Sequence, residues 1–207
     1  MLQYITNTEC GVPVVDQIKA VIEGGCRWIQ IRMKDASDEE IAKVAEEVKP
    51  LCLEKESFLL IDDRVELAKK ADVGGVHLDK DDMAPSKARQ ILGPAAVIGV
   101  TANTIDDIEA VRYLDIDYIG IGPFTDTKTK KNLAPILGLE GIREICAEME
   151  KREINIPRVA IGGIRLEDVK PLLDAGVNGI AVSGAIAFAP DIVEATRKFV
   201  ELMPIGE

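Results

Sequence analysis

Eight short apolar runs recur along this chain at intervals of roughly 25 residues, each followed by a longer amphipathic segment. No other feature limits the fold as much. The runs are Gln3–Thr6, Trp28–Arg32, Phe58–Asp62, Gly75–Leu78, Val97–Val100, Tyr118–Gly122, Val159–Gly162 and Gly179–Val182. The stretches WIQIR, FLLID, VIGV, YIGIG, VAIGG and GIAV lack clean polar alternation. Strands of a parallel sheet, buried on both faces, read this way. Helices are expected over Pro13–Glu23, from Ser37 to about Leu53, and over Val65–Lys70, Pro85–Leu92, Thr104–Tyr113, Leu139–Lys151, Leu166–Ala175 and Pro190–Met203. Ser37 and Glu40 have capping-box spacing, and Ile41, Val44, Ala45 and Val48 form one apolar face. Two helices exit through glycine into the next strand, at Gly74-Gly75 and at Gly176. Strict alternation of this kind predicts an α/β fold, a single (β/α)₈ TIM barrel spanning 1–207. An open doubly wound sheet is the alternative. No GxGxxG follows the first strand, which counts against a dinucleotide-binding version.

Composition narrows the function. The 207 residues suit one domain, and 47% hydrophobic residues exclude a disordered chain. The net charge of -11 argues against a nucleic-acid partner and against an anionic membrane surface. Cys10, Cys26, Cys52 and Cys146 form no CxxC pair, and His77 is the one histidine, so a zinc site is not expected. Free thiols in a reducing cytosol are the simpler reading. There is no signal-peptide pattern and no apolar window of about 18 residues, so a cytoplasmic protein without a membrane span is expected. A homo-oligomer is left open.

In a barrel, chemistry gathers at the C-terminal ends of strands. The second strand ends Gln30-Ile31-Arg32-Met33-Lys34, and alternation sets Gln30, Arg32 and Lys34 on one side. A glutamine and two cations converging there could hold an anion, or form a solvated strand end. Asp62-Asp63-Arg64 follows the third strand and Asp79-Lys80-Asp81-Asp82 the fourth. Carboxylates on adjacent loops suit Mg²⁺, which takes one or two of them plus substrate phosphates. Alternatively Asp62 or Asp63 caps the next helix and the second cluster is solvated. His77 reads as a hydrogen-bonded core histidine. Thr101 ends the fifth strand as a candidate phosphate ligand, while Thr104 is the better helix cap. The longest irregular stretch, Pro123–Gly138, carries Thr125, Thr127, Lys128, Thr129, Lys130 and Lys131, a basic hydroxyl-rich loop able to clamp an anion. Glycines at Gly162-Gly163 and Ser183-Gly184 would let backbone amides approach a phosphate, at the usual barrel phosphate site. Two anion sites are therefore expected. One is charged and pyrophosphate-like, at strands two to six. The other is neutral, built from amides, at strands seven and eight.

In this order the motifs are Q-x-R-x-K at Gln30–Lys34, D-D-R at Asp62–Arg64, G-V-H-L-x-x-x-D at Gly75–Asp82, G-V-T at Gly99–Thr101, G-P-x-x-x-T-x-T-K at Gly122–Lys130 and A-I-G-G-I at Ala160–Ile164. On them the chain resembles the thiamine phosphate synthase (thiamine-phosphate pyrophosphorylase) family over essentially its whole length. The resemblance implies a transferase of phosphorylated small molecules. It would join an aminopyrimidine methyl diphosphate to a thiazole phosphate by a dissociative step, releasing pyrophosphate. It implies that Gln30 contacts the pyrimidine and that Arg32, Lys34, Thr101 and Lys130 hold the diphosphate. Asp63 and Asp82 would ligate Mg²⁺. Thr127 and Thr129, with the amides of Gly163, Ser183 and Gly184, would hold the thiazole phosphate.

The chain departs from the family pattern at three places. The family usually has Asn-Asp where Asp62-Asp63 stand, Gly-Gln where Asp79-Lys80 stand, and Ser where Gly184 stands. Asp62 could instead accept from the pyrimidine amino group or join the metal, and Lys80 could offset the added negative charge. These changes keep a non-catalytic binder of thiamine precursors as an alternative. A thiazole tautomerase is another, although that group has a histidine where this chain has Asn103.

Overall fold

The fold is a computed structural model that describes residues 1–126 and 135–204. Eight parallel strands close into a barrel in the order in which they occur. They are β1 (Leu2–Ile5), β2 (Trp28–Ile31), β3 (Phe58–Asp62), β4 (Gly75–Leu78), β5 (Val97–Ala102), β6 (Tyr118–Ile121), β7 (Arg158–Ile161) and β8 (Gly179–Val182). Helices α1 (Val14–Glu23), α2 (Asp38–Glu54), α3 (Val65–Ala71), α4 (Pro85–Leu92), α5 (Ile105–Val111), α6 (Gly138–Lys151) and α7 (Val169–Asp174) follow the first seven strands. A short α8 (Gly184–Ala187) and α9 (Ile192–Glu201) follow the last. The doubly wound alternative is excluded, because β1 pairs with β8 through Leu2↔Ile180 and Gln3↔Ala181.

Boundaries moved by one or two residues, and two short elements were not expected. One is α8. The other is a single 3₁₀ turn, Leu166–Asp168, that opens the segment before α7. The capping box forms as expected: Ser37 Oγ accepts from the Glu40 amide at 3.3 Å, and Glu40 accepts from the Ser37 amide at 2.8 Å. Thr104 caps α5 in the same way with Asp107.

Pleating divides the core in two. Outward residues such as Tyr4, Ile29, Ile61, Val76, Ile98, Ile119 and Ile180 pack against the helices in one large cluster. Inward residues Ile5, Leu60, Tyr118, Val159 and Ala181 form a smaller cluster, with Trp28, Phe58, Val97 and Ile161 against it. The inner face also carries polar groups: Gln3, Gln30, Asp62 and His77 are all buried. Burying polar groups costs free energy unless each is bonded, so their partners define the site. The four cysteines form no disulfide. Among the described residues no helix is long and apolar enough to cross a membrane.

Candidate active site

Inward residues at the C-terminal ends of β2 to β5 meet at one half of the barrel mouth. Asp62 ends β3 and is 6% exposed. Its Oδ2 lies 2.8 Å from Lys34 Nζ and 3.7 Å from Arg32 Nε. The two cations thus converge, as alternation required, and on a carboxylate of this chain. Half-burial pulls the Lys34 ammonium down, and Asp62, helped by Asp82 and Asp79, more than offsets it, so the group is held above its ordinary value. Gln30 is buried beneath them and lies close enough to Tyr118 to favour its ionised form, yet its Nε2 makes no hydrogen bond of ordinary length and angle.

Neither Asp62 nor Asp63 caps α3, whose preceding residue is Arg64 with no side-chain cap. Asp63 instead takes a left-handed backbone conformation, φ 67°, and its amide donates to the His77 carbonyl at 2.8 Å. Left-handed conformations cost a non-glycine residue free energy and cluster at functional sites. Asp82 accepts from the Asp79 amide at 2.7 Å. Its carboxyl is pushed up to about 6, first by burial, then by the charges of Asp63 and Asp79, against the Asp79 amide and Lys34. Lys80 does not relieve this excess. It turns away to pair with Asp107 at 2.6 Å.

His77 is 3% exposed and is the hydrogen-bonded core residue expected from the sequence. Its Nδ1 lies 2.8 Å from Tyr118 Oη and its Nε2 2.9 Å from Thr101 Oγ1. Gln3 Nε2 donates to the same phenol at 3.0 Å. Burial pushes the Tyr118 hydroxyl far up, against the Gln3 hydrogen bond, so it stays a neutral phenol. Glycine makes room for both rings. A Cβ on Gly99 would lie 2.1 Å from Tyr118 Cζ, and one on Gly120 would lie 3.2 Å from His77 Cε1. Thr101 donates to Asp79 Oδ1 at 2.6 Å. Asn103 donates to the Gly122 carbonyl at 2.5 Å, a structural role.

The other half of the mouth is backbone. Gly162 and Gly163 follow β7 with φ of 101° and 68°, open to glycine at little cost. Thr125 Oγ1 donates to the Gly163 carbonyl at 3.0 Å, tying this turn to the loop after β6. Both ends of that loop are closed by backbone bonds, from Leu137 to Pro123 and from Gly138 to Phe124. Ser183 immediately precedes α8, and its carbonyl accepts from the amides of Ile186 and Ala187. Asn7, buried after β1, donates to Ser183 Oγ at 3.4 Å. Thr127, Lys128, Thr129, Lys130 and Lys131 lie outside the described residues.

Of the residues expected from the sequence, Gln30, Arg32, Lys34, Asp62, Asp63, Asp82 and Thr101 come together at the charged half. Gly162, Gly163, Ser183 and Gly184 line the backbone half. Sequence reasoning missed Asn7, Tyr118 and the Asp79–Thr101 bond. The interior glycines at 99 and 120 were the available signal, since a glycine inside a buried strand marks a close approach.

The thiamine monophosphate synthase family matches residues 2–186. A thiamine-phosphate synthase of Bacteroides fragilis is 52% identical over 97% of this chain and 98% of its own. One of Pyrococcus abyssi is 38% identical, over 96% and 94%. Among solved structures, a thiamine phosphate pyrophosphorylase from Pyrococcus furiosus superimposes with a TM-score of 0.86 at 32% identity, over 97% of this chain and 94% of that one. The chain therefore belongs to the thiamine monophosphate synthase family, whose members are transferases.

Proposed function

We propose that the chain condenses 4-amino-2-methyl-5-pyrimidinylmethyl diphosphate with thiazole phosphate, giving thiamine phosphate and pyrophosphate. One observation carries this reading: Arg32 and Lys34 converge inside the mouth on a single buried carboxylate, Asp62. That is an anion position with two cations already aimed at it. The neutral glycine turns across the mouth suit a monophosphate.

In the step proposed, the bond from the pyrimidine methylene carbon to the diphosphate oxygen breaks, and both electrons leave on oxygen. The thiazole nitrogen then gives its lone pair to the methylene carbon. Arg32 and Lys34 meet the charge that builds on the leaving pyrophosphate, and Lys130 belongs with them. Gln30 holds the pyrimidine, with Asp62 facing the same space. The amides of Gly162, Gly163, Ser183 and Gly184, with Thr127 and Thr129, hold the thiazole phosphate and aim its ring. Catalysis is positioning and charge stabilisation, with no general base required.

Mg²⁺ fits the donor set. The oxygens of Asp63 and Asp82 are hard ligands, and burial with neighbouring negative charge holds Asp82 near 6. Among the described residues no group of three or more His, Cys, Asp or Glu is placed to hold an ion unaided. A cation here would need substrate phosphates to complete its coordination. Bound there it would neutralise diphosphate charge.

The test is turnover with both substrates and Mg²⁺, reading thiamine phosphate after oxidation to its fluorescent product. Product that disappears with EDTA and in Asp63→Ala is expected. A folded protein that binds thiazole phosphate without turnover would favour the non-catalytic binder. The observation behind that second reading is that Asp62 and Asp79 already occupy diphosphate-side donors.

A further inference from the structure

The buried polar groups of the barrel form a chain of hydrogen bonds from Gln3 through Tyr118, His77 and Thr101 to Asp79. The Gln3 amide nitrogen carries only hydrogens, so it donates to Tyr118 Oη at 3.0 Å. A carboxylate only accepts, so Thr101 spends its one hydrogen on Asp79 Oδ1 at 2.6 Å, and His77 Nε2 is the donor to Thr101 Oγ1 at 2.9 Å. That leaves Nδ1 of a neutral ring to accept from Tyr118 Oη at 2.8 Å. The sequence of donors runs from the barrel floor to the mouth and ends in a carboxylate.

This has a consequence for the anion half of the site. A threonine hydroxyl serves a phosphate only by donating to it, because phosphate oxygens accept. Here the donor is taken. His77 fills one lone pair of Thr101, Asp79 holds its hydrogen, and what faces the mouth is a second lone pair. The consequence rests on reading this half of the mouth as the diphosphate half.

We propose that Asp79 is a positioning and specificity-determining residue that latches the Thr101 hydroxyl hydrogen, so that a diphosphate gains this donor only by displacing the Asp79 carboxylate. The latch makes Thr101 silent in the empty enzyme. It also sets a threshold: a ligand with a weakly charged or misplaced anion does not dislodge a carboxylate 2.6 Å from its donor.

Calorimetry with inorganic pyrophosphate and Mg²⁺ tests this on four proteins: wild type, Asp79→Gly, Thr101→Val and the double variant. Asp79→Gly is expected to bind about tenfold more tightly, the scale of one hydrogen bond to a charged group. Thr101→Val is expected to cost less than about twofold in wild type and about tenfold in the Asp79→Gly background. Asp79→Asn removes the charge but keeps an acceptor oxygen, so Thr101→Val should remain nearly without effect beside it. An equal cost of Thr101→Val in wild type and Asp79→Gly would overturn the latch. Absence of pyrophosphate binding in both would overturn the diphosphate reading and the latch with it. A ligand-free check is ¹⁵N NMR of His77, where the neutral Nε2–H tautomer is expected and the Nδ1–H tautomer would sink the proposal.

Discussion

On the function proposed, the two halves of the barrel mouth would each hold a phosphate, with opposite materials. The half built on β2 to β5 uses charged side chains and supplies its own counter-anions. Asp62 sits on Lys34 and Arg32, and Asp79 on Thr101. The half built on β7 and β8 uses glycine turns and, among the described residues, sets no such charged pair at the mouth. In a chain with a net charge of -11, long-range attraction does not bring anions in, so both halves would have to act at contact. The difference is in what a ligand must displace. On the charged side it competes with carboxylates. On the backbone side it competes with water. Selectivity should therefore be concentrated on the charged side, and tolerance for a plain monophosphate on the other.

Substitutions can break this contrast one half at a time. The largest effect is expected from Arg32→Ala or Lys34→Ala. Either should lower kcat/KM for the pyrimidine diphosphate by about 100- to 1,000-fold, since truncating one partner of a close charge pair costs about 2–5 kcal/mol. The KM for thiazole phosphate should move by less than about twofold, as expected of sites that share no partners. A parallel rise in both KM values would show that the halves are not separate. Next is Gly163→Ala, whose Cβ would meet Thr125 Oγ1 at 2.1 Å and the Asp126 carbonyl at 2.8 Å on a backbone of φ 68°. It should destabilise the turn by about 1–3 kcal/mol and raise the KM for thiazole phosphate about tenfold. Pyrophosphate affinity, read by calorimetry, should not change.

Asp62→Asn sharpens the comparison from the other side. Removing the internal counter-anion frees Lys34 and Arg32 and adds an N–H donor, so pyrophosphate should bind about fivefold more tightly, within the range of one net hydrogen bond. Unchanged or weaker binding would mean that Asp62 orders the cations rather than competing for them. The smallest effect is expected for Tyr118→Phe. It leaves Gln3 and His77 short of a partner beneath the charged half, at about 1 kcal/mol, or roughly 2–4 °C in Tm for a domain of this size. Thiazole phosphate binding should be indifferent to it.

Much of this was legible in the sequence because the barrel repeats one physical rule. Buried parallel strands need apolar residues on both faces, and all eight runs became strands with ends displaced by a residue or two. Where a polar residue broke such a run, as at Gln30 and Arg32, alternation alone gave its direction. The bonds between strands were not legible. Whether His77 meets Tyr118 depends on the pairing of His77 with Gly99 and of Gly99 with Tyr118, which is set by the stagger of the closed barrel. Asp79 looked like one more solvated acid until that stagger set it beside Thr101. The short α8 has four residues and too little periodicity to be seen.

The pairing of β1 with β8 also bears on how the protein is made. The Met1 amine donates to the Asn178 carbonyl across 177 residues of chain. On a ribosome adding about 5–20 residues per second, β1 waits roughly 10 to 35 s for the strand that completes its second edge. Through that interval the nascent chain presents an apolar strand, Leu2–Ile5, with one row of amides and carbonyls unmatched. Closure of this seam comes after the other seven strands have been made, and it is the point at which crowding by other growing chains would do the most harm.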